Sequence, residues 1–330
     1  MSASLVSLIP PGTGGVRDYA TVLGEPLGSP VVELSPDTDV STLGGECALL
    51  HFSGYGFEKR GVPFWLVKKV RLLHGRFDRI GIVFHELFAT NVSPWGSAFW
   101  LAGLQQRIAR DLLLEADFWL ASREDSARWL QRQSKPLPHR VLPVFSNVGE
   151  LDDIEGPRSP WMVVFGSPGM RRQVYEWNDG EIFRHAEQLG LEIHDLGPSI
   201  DDETLSRKLV RSKVVLRGKL PKEEVSAVLA AANYGAVAYP ADFAAKSGIF
   251  AAYCSHGVCP VLLSKDYGVH DGLRPNVHYA GGFDALQASF IEPRVVGRAA
   301  RKWYASHDVQ TQVRALRELT ASVPRQELAR

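Results

Sequence analysis

Cysteine, net charge and long apolar runs are all scarce in this sequence, and each shortage excludes something. Three cysteines in 330 residues (Cys47, Cys254 and Cys259) cannot build a disulfide framework. The last two are not in a Cys-x-x-Cys pair, and no second pair is present to complete a zinc site. A reducing, cytoplasmic setting is expected. Lys plus Arg and Asp plus Glu both number 37, so the formal net charge is zero. A general nucleic-acid binder is excluded, because such affinity comes largely from neutralising phosphates. No apolar run approaches the roughly 18 residues needed to span a bilayer. The stretch from Met1 to Pro10 lacks the positive flank and small-residue cleavage site of a signal peptide, and reads as a first strand.

Familiar catalytic signatures also fail. Gly12-Thr13-Gly14-Gly15-Val16-Arg17 puts arginine where a dinucleotide fingerprint needs its third glycine for close helix–strand packing. His85-Glu86-Leu87-Phe88-Ala89 has alanine where a zinc-protease helix needs its second histidine. The segment from Gly166 to Arg172 lacks the Gly-Lys-Ser/Thr ending of a P-loop.

What is present is alternation. Short β-rich runs are expected at Leu5–Ile9, Val31–Leu34, Ala48–Phe52, Ile80–Phe84, Phe118–Ala121 and Val141–Val144, with helices at Gly15–Leu23, Phe64–Leu73, Phe99–Leu114 and Asp125–Gln133. Apolar strands alternating with helices indicate an α/β protein with a parallel sheet covered on both faces. Asn147 to Pro160, acidic and carrying Gly149, Gly156, Pro157 and Pro160, reads as a linker. The pattern then restarts: strands at Trp161–Phe165, Ile193–Leu196, Val214–Arg217, Ala236–Tyr239 and Pro260–Leu263, helices at Gly180–Leu189, Lys222–Ala232 and Ile249–His256. Three segments are expected: residues 1–150, a Rossmann-like domain; 151–310, a second one; and 311–330, a helix returning to the first.

Several elements carry chemistry. Gly14 and Gly15 follow a strand and open a helix, offering free N–H groups and the positive helix end to an anion. Gly166-Ser167-Pro168-Gly169-Met170-Arg171-Arg172 repeats the device and adds two guanidiniums suited to phosphate. Lys246-Ser247-Gly248-Ile249, leading into a helix after Tyr239-Pro240, makes a second diphosphate seat. His85 and Glu86, at a strand's end, are the expected catalytic pair, with His51 a further candidate by the same position. The glycine–aromatic loop from Phe52 to Phe57 is suited to an acceptor pocket through His51, Ser53, Tyr55 and Phe57, joined by Trp95. Residues 62–76 are amphipathic, aromatic at one end and basic on the polar side. They read first as a solvated helix face, and second as a peripheral contact with an anionic membrane or a polyprenyl-diphosphate acceptor.

Gly14-Gly15-Val16, His85-Glu86, Gly166…Arg171-Arg172, Gly218, and Ser247-Gly248…His256-Gly257-Val258-Cys259-Pro260-Val261 together resemble glycosyltransferase family 4 over most of the chain. That resemblance implies the GT-B fold, two Rossmann-like domains facing each other across a cleft. It implies a nucleotide-diphosphate sugar, UDP- or GDP-linked, as donor substrate on the C-terminal domain, with no separate cofactor. A glycan or polyprenyl-linked acceptor is implied on the N-terminal domain, with retention at the anomeric carbon and no metal. Gly166, Gly218 and Lys219 fall in the nucleotide region. The register set by Gly257 places Ala244 and Ala252 where the family carries two glutamates, and Asp242 stands as a substitute at the donor sugar. Localisation is then expected to be cytoplasmic, with any membrane contact peripheral at the inner face. Two other readings stand beside transfer: an inactive scaffold subunit, favoured by the missing glutamates, and a GT-B epimerase or hydrolase.

Overall fold

The computed structural model describes residues 4–89, 97–133, 136–287 and 291–323. The chain divides into two compact units: residues 1–143 with 309–330, and 144–308.

In the first unit the strands are β1 (Leu5–Ile9), β2 (Val31–Glu33), β3 (Gly45–Ser53), β4 (Phe77–Glu86), β5 (Phe118–Ala121) and β6 (His139–Val141). They form one parallel sheet in the order β2-β1-β3-β4-β5-β6. Its helices before the crossing are α1 (Gly15–Gly24), α2 (Gly54–Phe57), α3 (Phe64–Leu73), α4 (Ser97–Leu114) and α5 (Glu124–Gln131). Strand side chains alternate between faces, and this divides the sheet's contacts. Val6, Leu8, Ala48, Leu50, Phe52, Ile80, Ile82 and Phe84 join a core with Leu66, Val70, Leu112 and Leu130 from α3, α4 and α5. The residues between them, including His51 and His85, fall on the other face. The last strand ends at Val141, short of the expected Val144, because Pro143 has no N–H to continue a ladder.

The second unit holds β7 (Ser159–Phe165), β8 (Glu192–Leu196), β9 (Val215–Gly218), β10 (Ala232–Ala238), β11 (Cys259–Leu263) and β12 (Ala280–Gly281). They form a second parallel sheet, ordered β12-β11-β10-β7-β8-β9. Its helices are α6 (Pro168–Glu176), α7 (Glu181–Gln188), α8 (Glu203–Arg211), α9 (Lys222–Ala231), α10 (Gly248–Ser255), α11 (Asp284–Gln287) and α12 (Pro293–Tyr304). The chain then returns to the first unit as α13 (Val309–Ser322). There Arg79 Nε donates to the Val323 carbonyl at 2.8 Å.

The second unit's sheet is braced from within. Tyr253 of α10 is fully buried, and its hydroxyl lies 3.1 Å from the Val163 carbonyl and 3.0 Å from that of Ala236. The ring passes directly over Gly235, where any Cβ would stand 2.4 Å from it. Glycine in β10 is therefore what lets α10 sit close on the sheet.

Candidate functional site

Open parallel sheets bind ligands beyond the carboxyl ends of their strands, at the point where strand order reverses. In the first sheet that switch lies between β1 and β3, and in the second between β7 and β10.

At the first switch, β1 runs out into Pro10 and a glycine turn before α1. Gly14 has φ 136°, a conformation L side chains rarely adopt, and is exposed with Gly15. A Cβ on either would meet nothing within 4 Å among the described residues. Arg17 Nε donates to the Gly12 carbonyl at 2.6 Å while its other end pairs with Glu33, so the turn is held from behind.

Against the helix that this turn opens stand two histidines. His51 Nδ1 lies 3.2 Å from His85 Nε2, and the rings stack at 5.5 Å. His51 is fully buried, and burial, reinforced by His85, holds its pKa well below the usual imidazole value. Tyr19 of α1 packs edge-on against both, with centroids 4.9 Å from His85 and 5.8 Å from His51. Ser53 Oγ donates to Glu86 Oε2 at 3.3 Å. Tyr55 is exposed and its hydroxyl accepts from Gln105 Nε2 at 3.0 Å. Phe57 lies in the core against Phe52 and Trp65 instead of walling a pocket; its place after a glycine in the loop did not betray this. Trp95 lies outside the described residues.

The stretch 62–76 forms α3 with Leu66, Val67, Val70 and Leu73 inward. Its basic groups turn largely to the protein itself: Lys69 to the Thr38 carbonyl, Arg71 to Glu115 at 2.7 Å, His74 to Glu115 at 3.2 Å and Arg76 to the Ser41 carbonyl. No helix among the described residues is long and apolar enough to cross a membrane.

At the second switch the loops after β7 and β10 meet. A Cβ on Gly166 would stand 2.6 Å from Ile249 Cδ1, so the glycine turn packs against the first turn of α10. Ser247 caps that helix, its Oγ accepting from Phe250 N at 3.2 Å, and is itself buried. Lys246 is half-buried with its ammonium 5.3 Å from the Phe243 ring centroid. A Cβ on Gly248 would meet nothing closer than Asn147 Oδ1 at 3.9 Å. Asp242 is half-buried in the turn before α10, and Gly218 and Lys219 are exposed at the end of β9. Ala244 and Ala252 are both fully buried.

The two arginines part company. Arg171 is 1% exposed; its Nε donates to the Gly166 carbonyl at 3.1 Å, one terminal nitrogen pairs with Asp195 and the other reaches the Pro198 carbonyl. Tyr175 donates to the same Asp195 at 2.7 Å. Desolvation raises the Asp195 pKa, against the pull of Tyr175 and Arg171. The Arg171 guanidinium is thus spent inside the protein, tying the loop after β7 to the loop after β8, and is not offered to a phosphate. Arg172 is half-exposed and pairs with Asp202 at 3.0 Å.

Gly197 was not anticipated. Its φ is 150°, and a Cβ there would stand 2.4 Å from the Gly166 carbonyl and 2.7 Å from Arg171 Nε. With Gly166 N donating to Leu196 O and Gly197 N to Gly218 O, the ends of β7, β8 and β9 are joined in series. A strand ending in Leu196-Gly197-Pro198 was the available signal. No three His, Cys, Asp or Glu side chains gather as a metal-ligand set among the described residues.

This architecture has counterparts among solved structures. Sucrose-phosphate synthase from Thermosynechococcus elongatus superposes with a TM-score of 0.62 at 13% identity, covering 97% of this chain and 100% of that one. HepE from Anabaena, solved with UDP and glucose, gives 0.59 at 12% identity over 97% and 100%. The fold is GT-B. A putative UDP-N-acetylglucosamine 2-epimerase from Listeria monocytogenes matches as well, with a TM-score of 0.59 at 12% identity over 99% of both chains. No family model and no curated protein matches the sequence. In GT-B terms the first switch belongs to the N-terminal Rossmann-like unit and the second to the C-terminal one.

Proposed function

We propose that the protein is a glycosyltransferase that moves a sugar from a nucleotide-diphosphate donor to a glycan or lipid-linked acceptor, with retention and without a metal. The observation that carries this reading is the second switch. Gly166, Ile249 and the capped N-terminus of α10 lie together there, with Lys246 on the same loop. Backbone N–H groups and a lysine at a helix start favour an anion, and a departing nucleoside diphosphate is one. In this reading Lys246, Ser247 and Gly248 hold the diphosphate and Arg172 lies at its rim. Arg171 acts indirectly, by bracing the loop. Gly14 and Gly15 offer a second set of N–H groups, Asp242 contacts the donor sugar, and Gly218 with Lys219 lies towards the nucleotide.

In the same reading His85 acts at the reacting sugar with Glu86 beside it, and Ser53, Tyr55 and His51 serve the acceptor side. The buried alanines at 244 and 252 supply no carboxylate, so the donor's hydroxyls depend on Asp242 and backbone groups. Similarity to a putative epimerase favours one second reading, a nucleotide-sugar epimerase. Incubating the protein with UDP- and GDP-sugars, with and without glycan and polyprenyl-phosphate acceptors, separates the two. Acceptor-dependent release of nucleoside diphosphate supports transfer. Turnover of the sugar nucleotide without acceptor supports epimerase or hydrolase chemistry, and no binding of any nucleotide sinks both.

A further inference from the structure

The histidine pair contains a proton-placement problem whose solution fixes which nitrogen of His85 carries the proton. His51 is completely buried and its Nδ1 faces His85 Nε2 at 3.2 Å, but its own Nε2 is buried with no hydrogen-bond partner among the described residues. Burial keeps His51 neutral, so the ring carries one proton and two arrangements remain. With the proton on Nε2, a buried N–H is left with nothing to donate to, and His51 Nδ1 accepts from His85. With the proton on Nδ1, His51 donates to His85 and only a lone pair is left unmatched. Buried orphan donors are the rarer defect in folded proteins, and a buried N–H left without a partner costs its full desolvation.

We propose that His51 is a positioning residue: it donates its Nδ1–H to His85 Nε2 and so confines the proton of neutral His85 to Nδ1. Tyr19 holds the geometry. The Pro143 carbonyl can only accept, so Gln312 Nε2 points at it, at 2.7 Å, and Gln312 Oε1 must face Tyr19. Tyr19 therefore donates to α13, and its ring is locked edge-on against both imidazoles. A proton arriving at His85 Nε2 would confront the Nδ1–H of His51. The pair thus keeps the proton of a neutral His85 on Nδ1.

The test is long-range 1H–15N correlation NMR on protein labelled with 15N-histidine, near pH 7.5, without nucleotide or acceptor. His51→Phe and His85→Gln variants assign the two rings. The expected result is an N–H on Nδ1 and a bare Nε2 in both rings, with loss of that pattern at His85 in His51→Phe. A wild-type His85 carrying its proton on Nε2, or a His85 pattern unchanged in His51→Phe, overturns the proposal. If His51→Phe does not fold, the wild-type pattern assigned through His85→Gln decides the matter alone. Because no substrate is present, the pattern holds or fails independently of any catalytic activity.

Discussion

Replacing Arg171 with methionine tests whether that guanidinium braces the protein or serves a ligand. The substitution keeps most of the side chain's length and removes the charge. It leaves Asp195 buried with Tyr175 as its remaining donor, and strips the Gly166 and Pro198 carbonyls of their partner. Removing one member of a buried ion pair costs about 3–5 kcal/mol, much of it from the charge left behind. For a unit of this size each kcal/mol lowers the unfolding temperature by about 2–4 °C, so a fall of roughly 6–20 °C is expected in a thermal scan at pH 7.

The pH dependence supplies an internal check. Without Arg171 the Asp195 carboxyl has a folded pKa raised further above its unfolded value, so the folded state prefers the proton. The penalty is then fully present above the folded pKa and fades as pH falls towards the unfolded value. The gap between wild type and variant should accordingly narrow from pH 7 to pH 5. Adding Asp195→Asn to the variant should recover at least half of the lost stability, since the stranded charge is gone. A variant that unfolds within 1 °C of wild type yet binds UDP or GDP more than tenfold more weakly would refute this reasoning, and return Arg171 to the ligand.

Lys246→Ala should weaken nucleoside diphosphate binding about tenfold or more, the loss of one charge-assisted contact, with stability little changed by calorimetry. Ser247→Ala should cost about 1 kcal/mol of stability through the lost cap of α10, read as a lower urea midpoint. Gly235→Ala forces a methyl into the Tyr253 ring and should destabilise by about 1–3 kcal/mol; an unchanged urea midpoint would show that α10 can retreat. His256, held at about 4 by burial, should make the protein lose stability as acid is added. A neutral buried histidine stabilises fully above its unfolded pKa near 6.5, and that contribution falls by about 1.4 kcal/mol per pH unit down to the folded value. His51, also depressed, adds to the slope, and denaturant unfolding at pH 7 and pH 5 measures it.

Periodicity exposed the fold because apolar strands and helices repeat plainly. The expected Leu5–Ile9, Phe64–Leu73 and Phe118–Ala121 coincide with β1, α3 and β5. Helix α6 was expected only as the helix that the Gly166–Arg172 turn opens, without bounds, since Pro168 and Gly169 blur where it begins. Yet proline suits the first helical position, and Ser167 supplies the cap. Helix α8 was missed in a charged stretch where only Leu205 and Leu209 turn inward. At the candidate site, sequence located the turns, since glycine after a strand has a local cause. It did not separate Arg171 from Arg172: adjacent helix positions point about 100° apart, and the position of Asp195, in the next strand of the chain, decides which is buried. His51 and His85 were singled out separately, but their pairing depends on the register of β3 and β4, which local pattern does not specify.

The first unit is assembled from both ends of the chain, whereas the second is one continuous stretch. During synthesis all of residues 144–308 therefore emerges before Gln312 and Val323, the partners of Tyr19 and Arg79, exist. The later-numbered unit can mature while the earlier one still waits for its last helix, and a nascent chain stalled before residue 309 would display Tyr19 and the histidine pair without their support.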